Sequence, residues 1–69
     1  MKTYDEILQG AKRLYHRSFK LIGVNDHYSE KLQDRADFLL HWVLGMTTDE
    51  ADHVWEEAQQ EYNEAHKTA

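Results

Sequence analysis

Sixty-nine residues without a cysteine, at a formal net charge of −5, leave room for one small domain and exclude both a disulfide framework and a thiolate zinc site. The acidic balance argues against non-specific coating of DNA, and no apolar run approaches the roughly 20 residues that span a bilayer. The stretch Met1 to Glu6 lacks a leader's apolar segment, so the expected setting is cytoplasmic, and an apolar content of 41% suits a folded chain.

The chain has no proline, and two of its three glycines, Gly23 and Gly45, divide it into thirds. Thr3-x-x-Glu6 reads as a capping box, in which hydroxyl and carboxylate each accept from a free backbone amide at a helix start. From there Tyr4, Ile7, Leu8, Ala11, Leu14, Tyr15, Ser18, Phe19 and Ile22 recur at helical spacing within an arc of about 120–130°. Gly23 then supplies the left-handed residue that ends a helix near 3–22. Gly10 lies inside this helix at a cost of about 1 kcal/mol relative to Ala. It marks either the close approach of a neighbour or a tolerated surface site.

A second helix is predicted near 26–44, with Asn25 or Asp26 as its cap. Its stripe is Tyr28, Leu32, Ala36, Leu39 and Val43, and Gly45 closes it. Phe38, Leu40, Trp42, Leu44 and Met46 widen its apolar arc to about 240°. A central helix packed by two neighbours needs such an arc, so burial is the simpler expectation. The alternative is that Phe38 and Trp42 reach past the core into a homodimer or partner interface, where aromatic anchors are favoured.

Thr47-x-x-Glu50 repeats the capping box and opens a third helix near 48–66. Ala51, Val54, Trp55, Ala58, Tyr62 and Ala65 form an arc of only about 100°. Short Gly-containing turns between three amphipathic helices imply an all-α fold, a compact three-helix bundle, as a single domain over 1–69. The expected core is Ile7, Leu8, Ala11, Leu14, Tyr15, Leu32, Leu39, Val43, Val54, Trp55, Ala58 and Tyr62.

Charge is sorted along the chain: residues 1–22 carry net +3, residues 23–46 carry −2 and residues 47–69 carry −6. The two ends can pair inside the molecule or meet separate partners. The basic patch Lys12, Arg13, His16, Arg17 and Lys20 falls on the polar side of the first helix. Its neighbours Tyr15 and Phe19 point to the other side, so rings and cations do not interleave. A solvated face near the negative end of the helix dipole is the expectation, with direct nucleic-acid binding disfavoured. Residues 43–51 have the outline of a helix-turn-helix turn, but the helix that follows is acidic and repels DNA.

That acidic helix offers a sharper possibility. Asp49, Asp52, Glu56, Glu57 and Glu64, with Glu61 beside them, line the side away from Val54 and Trp55. Such a row can dock on a basic protein surface. It can also imitate a phosphate backbone and block a nucleic-acid groove, as small acidic inhibitors of host nucleic-acid-binding or defence proteins do; this is an analogy of charge alone.

Five histidines raise the question of a metal. Glu50-x-x-His53 has di-iron spacing, but such bundles need two copies and further inward Glu. Asp37 and His41 form a second pair at i,i+4, on a polar side. No metal or cofactor is expected. Ser18 and Ser29 read as an apolar-arc residue and a helix-start residue, not as nucleophiles. No phosphate loop or nucleophile elbow is present. The expected function is that of a small non-enzymatic interaction or regulatory protein. It would bind a protein partner through the acidic third-helix face, the Phe38/Trp42 patch, or both, with no membrane and no small-molecule substrate. A nucleic-acid mimic is the first alternative, and a structural helper in a larger assembly is the second.

Overall fold

The computed structural model describes residues 3–66. It contains α1 (Tyr4–Leu21), α2 (Asp26–Phe38), a π-helical segment (Leu39–Val43) that continues α2, and α3 (Thr48–Ala65). No strand occurs among the described residues, and the fold is an all-α three-helix bundle. Each helix start is held by the side chain placed there. The Thr3 and Thr47 hydroxyls accept from the Glu6 and Glu50 amides at 3.2 Å, and both Glu carboxylates return the bond. Asn25 caps α2, accepting from the Tyr28 amide at 3.2 Å. Asp26 instead accepts from the Gly23 amide at 2.7 Å, fixing the turn. Gly23 (φ 81°) and Gly45 (φ 70°) take the left-handed conformation that a Cβ disfavours.

The central helix is α1, not α2. It packs against both other helices, whereas α2 and α3 scarcely meet. The two contacts of α1 use adjacent faces offset by one residue. Tyr15 and Ser18 face α2: the Tyr15 hydroxyl donates to Asp37, and the Ser29 hydroxyl donates to the Ser18 carbonyl at 2.8 Å. Ser29 therefore bridges helices and is no cap. Lys12, His16 and Phe19 face α3. The expectation of a solvated surface for Lys12 is thus corrected, because that side of α1 is the α3 seam.

The second helix runs across 26–44 as expected but changes its winding at Leu39. The Leu44 amide donates to the Leu39 carbonyl at 3.0 Å, an i→i+5 bond, and the Met46 amide to the Leu40 carbonyl at 2.9 Å. Underwinding of this kind rotates the residues after Leu39 relative to a regular helix. Leu40 becomes fully buried, and Val43, expected in the core, is 49% exposed. The buried line is Leu32, Ala36 and Leu40, with Leu44 packed against the core. Four-residue steps drift around an α-helix, and the wider π turn takes up that drift. The Nδ1 of His41 donates to the Met46 carbonyl at 3.1 Å and pins the end of this segment.

The core joins Ala11, Tyr15, Ala36, Leu40, Ala51, Val54 and Ala58, with Leu8, Leu14, Phe19, Leu39 and Trp55 packed around it. Ile7 and Tyr62 are likewise half-buried. Nothing lies within 4 Å of a Cβ built on Gly10, so this glycine marks no close helix approach.

Candidate interaction surfaces

The polar side chains of the α1–α3 seam are engaged with one another. Lys12 is 8% exposed, and its Nζ lies 3.1 Å from Glu57 and 3.5 Å from Glu61. Burial alone would lower the Lys12 ammonium. The Glu57 hydrogen bond and the Glu61 charge outweigh it and hold the group above its ordinary value. Glu57 is held below the usual carboxylate range, first by its hydrogen bond to Lys12 and then by the Lys12 charge. His53 Nε2 sits 2.9 Å from the other Glu57 oxygen, and His16 Nε2 sits 3.5 Å from Glu61. Glu57, grouped by sequence with the acidic face, is therefore a seam residue. So is Lys12, grouped with the basic patch. One part of the sorted charge is neutralised inside the molecule.

What remains exposed is simpler. Asp49, Asp52, Glu56 and Glu64 stand on the surface of α3, with no cation within 4.0 Å among the described residues. Arg13, Arg17 and Lys20 are exposed on α1. Arg17 and Lys20, with Leu21 and Tyr28, border an open cleft of about 320 Å³ where α1 meets the start of α2.

The pairs with metal-like spacing are occupied otherwise. The Glu50 carboxylate closes a capping box, and His53 turns to Glu57. Asp37 accepts from Tyr15, and His41 donates to Met46.

The largest apolar surface lies on α2. Phe38 is 57% exposed and Trp42 79% exposed, and Val43 joins them. They stand opposite Leu32, Ala36 and Leu40, the line that meets the core. At steps of four, three and four residues, Lys31, Arg35, Phe38 and Trp42 form one stripe, and all four are exposed. Sequence reading singled out the two aromatics and missed the two cations. The 4-3-4 spacing was the available signal, and it was masked by attention to the apolar arc.

No family model, curated protein or solved structure matches this chain. The functional reading rests on these surfaces.

Proposed function

We propose that this chain is a non-enzymatic interaction module that binds a protein partner through the outer face of α2, with Phe38 and Trp42 as anchors. The exposure of these two aromatics on a helix with one neighbour carries the reading. Isolated apolar residues on a surface are ordinary; adjacent large aromatics on one helix face are the residues that dominate interface energies. The helix is already formed and capped, so binding orders little backbone and loses little entropy.

Photo-crosslinking tests it. A photoreactive phenylalanine analogue replaces Trp42 in one variant and exposed Gln60 of α3 in another. The label at position 42 should capture a discrete protein, and adding Phe38→Ser should abolish capture. A label at 42 that captures no more than the label at 60 would overturn the reading.

A second reading keeps the acidic face as a contact, because Asp49, Asp52, Glu56 and Glu64 have no ion-pair partner among the described residues. Either a basic protein surface or a nucleic-acid-binding groove suits it. Reversal of Asp52, Glu56 and Glu64 to Lys, leaving Glu57 on Lys12, should abolish that binding with the fold intact. Competition by nucleic acid separates mimicry from a general acidic contact.

A further inference from the structure

We infer that the occupant of the α2 outer face is a second copy of this chain, packed antiparallel about a two-fold axis. The inference rests on the reading of that face as an interaction surface and adds the partner and the register.

The argument is the spacing of the stripe. In an antiparallel helix pair, residues whose numbers share a constant sum face each other. Lys31 and Trp42 have the same sum as Arg35 and Phe38. One register therefore sets Lys31 over Trp42 of the second copy and Arg35 over Phe38, and the two-fold repeats both contacts. Cations over aromatic faces attract, more strongly once water is excluded. All four members of the stripe are exposed and none has an ion-pair partner among the described residues, so the face is available as it stands. A parallel pairing would set Lys31 on Lys31 and Arg35 on Arg35, with like charges opposed.

Other occupants fit less well. The acidic face of α3 offers carboxylates to Lys31 and Arg35 but, through Asp49, Asp52 and Glu56, no apolar seat for Trp42. Single-stranded nucleic acid could stack on the rings. It would approach a chain of net charge −5, whose field repels a phosphate backbone.

Sedimentation equilibrium on the full chain should show 8.2 kDa doubling as concentration rises. Trp42→Ala and Arg35→Ala should each weaken association by about tenfold or more, with unchanged helicity, and Gln60→Ala should leave it alone. The chain has no cysteine, so His27→Cys provides a single spin-label site. The antiparallel register places the two labels about 30 Å apart, and a parallel one about 10 Å. A monomer at millimolar concentration overturns the inference, as does a dimer indifferent to Trp42→Ala or a label distance near the shorter value. If the chain is monomeric and position 42 captures a different protein, the interaction reading survives without this partner. If it is monomeric, captures nothing and binds a short oligothymidine through Trp42, both proposals fall.

Discussion

The α1–α3 seam and the outer face of α2 use the same ingredients, rings and cations, to opposite ends. In the seam Phe19 meets Trp55 and Tyr62 edge-on, at centroid separations of 5.8 and 5.5 Å, and Lys12 is buried against two carboxylates. On α2 the rings of Phe38 and Trp42 face outward beside Arg35 and Lys31. The difference comes from the number of neighbours each helix has. With two neighbours, α1 buries part of its polar side as well as its apolar stripe. With one, α2 buries half of a wide apolar arc and presents the rest.

The widest test of that contrast pairs residues the π segment separates. Leu40→Ala removes a fully buried side chain and should cost about 2–5 kcal/mol. Val43→Ala, on the exposed side of the same segment, should cost about 0.5 kcal/mol or less. Urea denaturation measures both, and equal losses would mean that the helix keeps regular winding past Leu39. The two tryptophans give the second pair. Trp55→Ala opens the aromatic cluster on Phe19 and should cost about 3 kcal/mol. Trp42→Ala should leave the stability of the monomer within about 0.5 kcal/mol. A large loss at Trp42, measured below any association threshold, would place that ring in the core.

The parts of this arrangement that depend on local chemistry were legible in the sequence. Both capping boxes, the Asn25 cap and the two left-handed glycines are short-range devices, each set by residues within one turn. The helices followed from them. The identity of the central helix was not legible, because apolar width does not say how many neighbours a helix has. The winding change at Leu39 was likewise hidden, since a regular wheel assigns Leu39 and Val43 to the core and cannot represent an extra residue in a turn. Lys12 shows the same limit: its side of α1 is polar, yet Glu57 and Glu61 arrive from another helix to accept its charge. Among the candidate sites, the exposure of Phe38 and Trp42 answers the choice left open between burial and projection. Whether a partner covers them is the question for experiment.

A smaller effect probes the polar groups on either side of α1. The Tyr15 hydroxyl is pushed well above the ordinary phenol value, first by burial, then by its hydrogen bond to Asp37 and by the charges of Asp37 and Asp52. A group raised on folding contributes stability that is complete below its unfolded value, 10.0 here, and is lost as pH rises beyond it. Lys12, also raised, acts in the same direction above 10.5. Glu50 and Glu57 are lowered, Glu50 by the Thr47 amide of its capping box and Glu57 by Lys12. Their contribution is complete above 4.5 and is lost as pH falls. These groups together give a melting temperature that is level between about pH 5 and pH 10 and falls on both sides. Tyr15→Phe leaves Asp37 without its donor and should cost about 1.5–3 kcal/mol at neutral pH while making the alkaline fall shallower. Lys12→Met should blunt the acid fall instead. An alkaline limb unchanged in Tyr15→Phe would mean that the phenol is solvated, and the α1–α2 contact would then be looser than the seam.

Even the central helix has a stretch that no neighbour covers, and Gly10 reports on it. A Cβ there meets nothing within 4 Å, and the backbone is helical with no positive φ. Gly10→Ala therefore removes unfolded-state freedom and adds a better helix former with no steric cost, for a gain of about 0.4–1 kcal/mol. In a domain of this size a gain of about 1 kcal/mol raises the melting temperature by about 4–8 °C. Gly23 is equally open to solvent but has φ 81°, so Gly23→Ala should cost about 1–2 kcal/mol through backbone strain. The two substitutions are chemically identical and sit in equally open space, so their opposite signs isolate conformation from packing. If Gly10→Ala proves destabilising, another helix approaches α1 at that point, and the two-neighbour contact of α1 extends further toward its N-terminus than these distances allow.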